Sequence, residues 1–247
     1  MMQQKTNPIY LGIITLSALL TLTGCGSNSD NAATNEEDLV DVIPAPPTRN
    51  KVARFVIPQL TEGQIQDVMA KYAYVDPDEL IAPNLLQDAL TYYDANLSHI
   101  PNKDVLSIVD FRIYSGQERL YVIDMKTGEV TAIHVAHGKG SDPKWTGYAT
   151  KFSNVPESKK SSLGFMLTET VYNGIHGRSI RLDGLSKTNS NIRDRNIVIH
   201  QAKYVHVEDE KAGRSDGCFA VPNKQRDFVI DKVQGSSLIY AGLGDVK

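Results

Sequence analysis

Cysteine is scarce in this chain: its 247 residues hold two, Cys25 and Cys218. At most one bridge could form, so each thiol has to be read separately. A surplus of charge of one sign is missing too. Lys and Arg number 26, Asp and Glu 29, for a net charge of −3. A chain so near neutrality offers no electrostatic case for nucleic acid. No apolar stretch reaches the roughly 20 residues that a membrane-spanning helix needs. No internal repeat is visible, and the His-Glu-x-x-His pattern of a zinc site is absent. His134 and His137 stand three apart in a predicted strand, on opposite faces, which argues against a shared metal. No metal and no organic cofactor is implied.

What is present begins with a leader. Lys5 sits in a short polar lead, and residues 9–22 are apolar apart from Tyr, Gly, Thr and Ser. That is the length of a signal-peptide core. It ends in Leu22-Thr23-Gly24-Cys25, which resembles a bacterial lipobox. The resemblance implies removal of residues 1–24 and lipid on Cys25; the alternative is an ordinary secretory signal. Gly26, not an acid, follows the cysteine, and by resemblance to enterobacterial sorting this implies the outer membrane, with the domain on its periplasmic face. Cys218 then has no partner within the molecule, and a lone thiol in an exported protein suggests reactivity or intermolecular pairing. Residues 25–51 are rich in Ser, Asn, Asp, Glu and Pro, including Pro44, Pro46 and Pro47, and read as a disordered tether.

The remaining length suits one domain with a small helical preface. In the preface, residues 52–103, Ile65, Val68, Met69 and Tyr72 fit one helical face. Leu85, Leu86, Ala89, Leu90, Tyr93 and Leu97 fit another, after Pro83-Asn84. From residue 104 onward short apolar runs alternate with turn residues. Strands are predicted at 105–113, 120–125, 130–136, 163–170, 179–182, 196–200, 219–221 and 238–240. A helix is predicted at 223–233, with Phe228, Val229 and Val233 turned inward. The expected fold is mostly β, a sandwich or barrel with short helices at its edges.

The chemistry concentrates between His200 and Ala220. A histidine closes the apolar run Ile197-Val198-Ile199; a polar loop follows; then Ser215-Asp216-Gly217-Cys218 opens a second run. Two strands joined by a loop can bring imidazole and thiol together. The imidazole can take the thiol proton and make the sulfur a good nucleophile. Gly217 leaves the backbone open beside the sulfur, so main-chain N–H groups could face an oxyanion.

His, fourteen residues, Ser, one residue, Gly-Cys is similar to the signature of the YkuD-type L,D-transpeptidases. The wider chain resembles the murein L,D-transpeptidase catalytic domain branch over roughly residues 84–241. Supporting segments occur in order: Val109-Asp110-Phe111, residues 119–124, Ala136-His137-Gly138-Lys139-Gly140-Ser141, Phe152-Ser153-Asn154, residues 161–165, Tyr172-Asn173-Gly174, His176-Gly177-Arg178-Ser179 and Gly213-Arg214-Ser215. The resemblance implies a YkuD-like β fold and a substrate in peptidoglycan stem peptides. It implies Cys218 as nucleophile, His200 as general base and then acid, the backbone carbonyl of Gln201 holding the ring, and the N–H groups of Gly217 and Cys218 as oxyanion donors. By the same pattern His176 would line the cleft, the alternative being a turn histidine bonded to backbone; Tyr172 could wall the cleft or be an ordinary buried tyrosine, and Arg214 could hold a substrate carboxylate. Ser215 would shape the loop, and Arg178 pairs on the surface by default. Two positions depart from the branch. Asp216 stands where a large aromatic is usual, and Phe219 where proline is common. An acid two residues from the thiol raises its pKa if the side chains face each other.

Three classes of function compete. The first is transpeptidation of stem peptides, with a second peptide or a wall-linked protein as acceptor; L,D-carboxypeptidase or endopeptidase action needs the same residues. A sortase-like enzyme would need Thr-Leu-x-Thr-Cys, which is missing, although Arg226 could be offered as its arginine. The non-enzymatic alternative is a lipid-anchored, catalytically weak peptidoglycan-binding protein.

Overall fold

The computed structural model describes residues 54–245. The predicted leader and tether, with Cys25, lie outside them. Two helices come first: α1 (Glu62–Lys71) and α2 (Pro83–Ala95). Helix α1 begins with a capping box, in which the Gln64 side chain accepts from Thr61 N at 2.9 Å and Thr61 Oγ1 accepts from Gln64 N at 3.4 Å. Two of the N–H groups that a helix start leaves unbonded are thereby satisfied. Pro83 opens α2, where its missing N–H costs nothing.

Eight strands follow: β1 (Val105–Asp110), β2 (Glu118–Asp124), β3 (Val130–His134), β4 (Gly164–Gly174), β5 (Gly177–Gly184), β6 (Val198–Gln201), β7 (Phe219–Val221) and β8 (Leu238–Gly242); α3 (Arg226–Val233) lies between the last two. They form one sheet in the order β3-β2-β1-β8-β4-β5-β6-β7. The β1–β8 and β6–β7 pairs are parallel and the others antiparallel. Just beyond β3, Ala136 bridges Ala220 of β7, and Gly138 bridges Ser215. These bridges bring the two ends of the strand order together, so the sheet nearly closes into a barrel. The mostly-β expectation describes this architecture.

Side-chain alternation explains the two cores. On β1 and β2, Val105, Val109, Leu120 and Val122 face the interior cluster, with Ile180, Ile199, Phe219 and Val221 from later strands. Leu106, Ile108, Tyr121 and Ile123 face the opposite way, onto α2. Both faces are covered, so these strands are buried along nearly their whole length, with apolar residues on both faces. The preface is therefore a packing layer on the sheet. Helix α3 buries Val229, Ile230 and Val233. Phe228, predicted to point inward, is 39% exposed. At 100° per residue, Val229, Ile230 and Val233 define the buried stripe, and Phe228 falls off its edge.

A column of stacked rings joins α2 to the sheet. Tyr92 lies 3.7 Å from Phe165, and Phe165 lies 4.3 Å from Tyr240, both pairs near-parallel. Phe165→Ala removes the middle ring. It is expected to lower unfolding stability by about 3 kcal/mol in a denaturant titration, while the alkylation rate of Cys218 in the folded protein stays unchanged.

Candidate active site

The site forms where β6 runs beside β7. The register pairs Ile199 with Phe219, His200 with Ala220 and Gln201 with Val221. Ile199, Phe219 and Val221 go into the core, so His200 and Ala220 point the other way. Cys218 comes two residues before Ala220. It stands just ahead of β7, and its side chain packs against the edge of the interior cluster. The row extends across the next two strands, since His200 pairs with Ser179 and Ser179 with Tyr172. Tyr172 thus shares the face of His200 two strands away, with the Arg181 guanidinium 4.2 Å over its ring.

His200 is buried, and its Nδ1 lies 2.7 Å from the backbone oxygen of Gln201. A carbonyl oxygen only accepts, so Nδ1 carries the hydrogen and Nε2 keeps its lone pair. His176, at the tip of the β4–β5 hairpin, lays its ring over that of His200 at 4.3 Å and 21°. Gly177, with φ 76°, closes the hairpin turn. Burial, and secondarily the His176 ring, lower the His200 pKa to about 4 against the pull of the Gln201 carbonyl.

Cys218 is half-buried, and its sulfur lies 3.6 Å from the carbonyl oxygen of Asn196. Burial pushes its thiol up to about 11; the Val198 backbone and Arg195 oppose the rise, and Asp216 adds to it. At neutral pH the pair is therefore a thiol and an imidazole, both uncharged.

The nucleophile loop is held from beneath. Ser215 Oγ donates to the Cys218 carbonyl oxygen at 2.7 Å and accepts from Gly217 N at 3.1 Å. Ser215 also exchanges backbone bonds with His137 O and Lys139 N. Gly217 takes φ 126°, and a Cβ there would meet Ile197 Cδ1 at 2.7 Å and Lys160 O at 2.9 Å. A side chain at position 217 would collide from two directions. The Gly217 N–H, expected as an oxyanion donor, is thus turned toward the Ser215 hydroxyl.

Other sequence candidates find partners of their own. The Arg214 guanidinium donates to Asp142 O and sits 5.1 Å over the Trp145 ring. Asp216 is exposed and pairs with Lys139 at 2.7 Å. Arg178 is bound by Asp227 and Asp231 of α3. Arg226 donates to Gln201 Oε1 at 2.6 Å. His134 and His137 are buried in separate places. His134 Nε2 is 3.2 Å from Gly116 O, and His137 Nδ1 is 3.0 Å from the wholly buried Arg119. Burial and the Arg119 charge lower the His137 pKa to about 4. Among the described residues no group of His, Cys, Asp and Glu is arranged to hold a metal.

Sequence reasoning missed Arg195. Its Nη1 donates to Ser153 O and Ser162 Oγ, both at 2.6 Å, and its Nη2 to Lys160 O at 2.6 Å and Ser158 Oγ at 3.2 Å. Its run of neighbours, Arg193-Asp194-Arg195, looks like a solvated turn; the only sequence signal was its place just ahead of the strand that carries His200.

Comparison with curated proteins finds no match. Among solved structures the chain is similar to an L,D-transpeptidase from Mycobacterium smegmatis, with 15% identity, 56% of this chain and 58% of that one covered, and a TM-score of 0.34. It is also similar to the helical cell shape determining protein Pgp2 from Campylobacter jejuni, with 12% identity, 57% and 48% covered, and a TM-score of 0.37. An L,D-transpeptidase from Xylanimonas cellulosilytica matches with 15% identity over 78% and 90% of the two chains, at a TM-score of 0.35. The first two matches thus span about half of those proteins' lengths. The family model described as the L,D-transpeptidase catalytic domain matches residues 78–241, and the chain belongs to that family.

Proposed function

We propose that the protein is a cysteine-dependent L,D-transpeptidase acting on peptidoglycan stem peptides. The observation that carries this reading is the Gln201 carbonyl 2.7 Å from His200 Nδ1, which leaves Nε2 with a lone pair to take a proton. The Cys218 thiol leaves Asn196 O and gives its proton to His200 Nε2 as sulfur attacks the carbonyl carbon between an L-centre and D-alanine. The tetrahedral oxyanion collapses, the C–N bond breaks, and the D-alanine amine departs with the proton from His200. A second stem peptide's amine then attacks the thioester, His200 takes its proton, and the thiol is restored; water in place of the amine gives hydrolysis. Because the Gly217 N–H is already directed at Ser215, the Cys218 N–H is the oxyanion donor. Such a donor is worth roughly 3 kcal/mol of barrier. His176 roofs His200 and Tyr172 walls the same face. Arg214 and Asp216 lie along the loop, where their present partners would exchange for substrate groups.

The Leu22-Thr23-Gly24-Cys25 segment supports lipid on Cys25, and with it attachment to the periplasmic face of a bacterial envelope, at the outer membrane by the Gly26 rule. A peptidoglycan binder without turnover is the second reading; it is favoured by the uncharged, high-pKa thiol with Asp216 beside it.

With purified tetrapeptide muropeptides, the full chain is expected to give 3→3 dimers by mass spectrometry, and Cys218→Ala and His200→Ala no product. Tripeptide without dimers would reassign the protein as a hydrolase. A wild-type chain that binds the muropeptides but neither turns them over nor takes a carbapenem adduct would establish the binder.

The pH profile provides a separate check. His200 must be uncharged to act as base, and its pKa lies at about 4, below the ordinary histidine value of 6.5. The rate should therefore hold from pH 7 down to about 5 and fall about tenfold per unit only below about 4. An acid limb near 6.5 would contradict the buried, His176-covered ring.

A further inference from the structure

Arg195, like Arg214, is held by uncharged acceptors, in contrast to three other arginines near the site. Arg178, Arg193 and Arg226 each face a carboxylate within ion-pair distance. The four acceptors on Arg195 are two backbone carbonyls and two hydroxyls. None carries charge, so its hydrogen bonds hold the guanidinium in place without cancelling it. The group is half-buried, where fields are screened less than in open water.

Its position is set against the nucleophile. A Cβ built on Gly217 would lie 3.5 Å from Arg195 Nη2 and 2.9 Å from Lys160 O, the carbonyl that Nη2 binds. The guanidinium edge thus lies against the residue that precedes Cys218. The residue after it, Asn196, adopts φ 52° and presents the carbonyl oxygen that receives the sulfur. One short segment therefore supplies the thiol's resting partner and a cation beside it. Ser161, inside the segment that Arg195 ties down, accepts from Gly138 N at 3.0 Å and donates to Gly217 O at 3.4 Å.

We propose that Arg195 is a positioning residue for Cys218: its uncompensated charge, laid against Gly217, offsets Asp216 and raises the thiolate fraction at the sulfur. The charged and titratable groups that act on that sulfur are Asp216, paired with Lys139 on the loop, Tyr204 from the crossover, and Arg195. Asp216 is paired with Lys139, which weakens its field. Burial lowers the Arg195 pKa while Cys218 raises it, and Arg195 in turn lowers that of Cys218. His200 is uncharged at neutral pH, so Arg195 is the positive charge already in place before a proton moves.

The inference rests on Cys218 as the nucleophile, yet its test needs no substrate, so the two readings can fail separately. The full chain with Cys25→Ser has Cys218 as its single thiol. Its ionisation is followed by thiolate ultraviolet absorbance and by the iodoacetamide alkylation rate between pH 7 and 10, with a thermal melt confirming the fold of each variant. Arg195→Met is expected to cut the alkylation rate about tenfold at a given pH, equivalent to one pKa unit. Arg195→Lys, which keeps the charge and loses the fork, should stay within about threefold of the parent. Should Arg195→Met fail to fold, Ser158→Asp places a carboxylate beside Nη2 and should slow alkylation in the same sense. Unchanged alkylation in the folded Met variant or in Ser158→Asp overturns the proposal. So does a Lys variant as slow as the Met variant, which would assign Arg195 to loop shape alone.

Discussion

The parallel pairing of β6 and β7 is the constraint from which the site follows. Two adjacent parallel strands cannot be joined by a tight turn; the chain must leave one end and return to the other. Residues 202–217 make that return and deliver Ser215-Asp216-Gly217-Cys218 at the start of β7. The Ala136–Ala220 and Gly138–Ser215 bridges then close the barrel on this loop. Closing the sheet and shaping the nucleophile loop are thus one event in the fold.

Electrostatics in the site are those of a dry pocket. Burial disfavours charge on both His200 and Cys218, which argues against a resting thiolate–imidazolium pair. An uncharged pair avoids holding two buried charges, a state that costs several kcal/mol per ion before pairing. The Asn196 carbonyl provides the thiol with a partner in that resting state.

Much of this was legible in the sequence because it depends on local order. A histidine ending one apolar run and a cysteine opening the next define strand ends; the role of the Gln201 carbonyl came from the family resemblance. Strand positions were legible too, while their limits moved by a few residues, as for β4, which runs on to Gly174. The contacts that were not legible are between segments far apart in sequence. Arg195 meets residues 153–162 across 33 to 42 positions. Lys139 meets Asp216 across the barrel closure. Phe228 shows a different limit: a short helix has several apolar residues near its face boundary, and sequence alone does not fix its rotation.

The two departures from the family pattern have separate physical consequences. Phe219 is 2% exposed and packs 5.7 Å from the Phe111 ring. A large aromatic driven into the core fixes the phase of β7, because neighbouring residues on a strand point to opposite faces. With Phe219 inward, Ala220 faces His200's side. A proline here would fix φ but bury less apolar surface and set that phase less firmly. Asp216 sits on the solvent side of the same turn, with its side chain 62% exposed and paired with Lys139. Water and the lysine both weaken its field at the sulfur. The exposed acid therefore acts on the thiol less than the buried surroundings do.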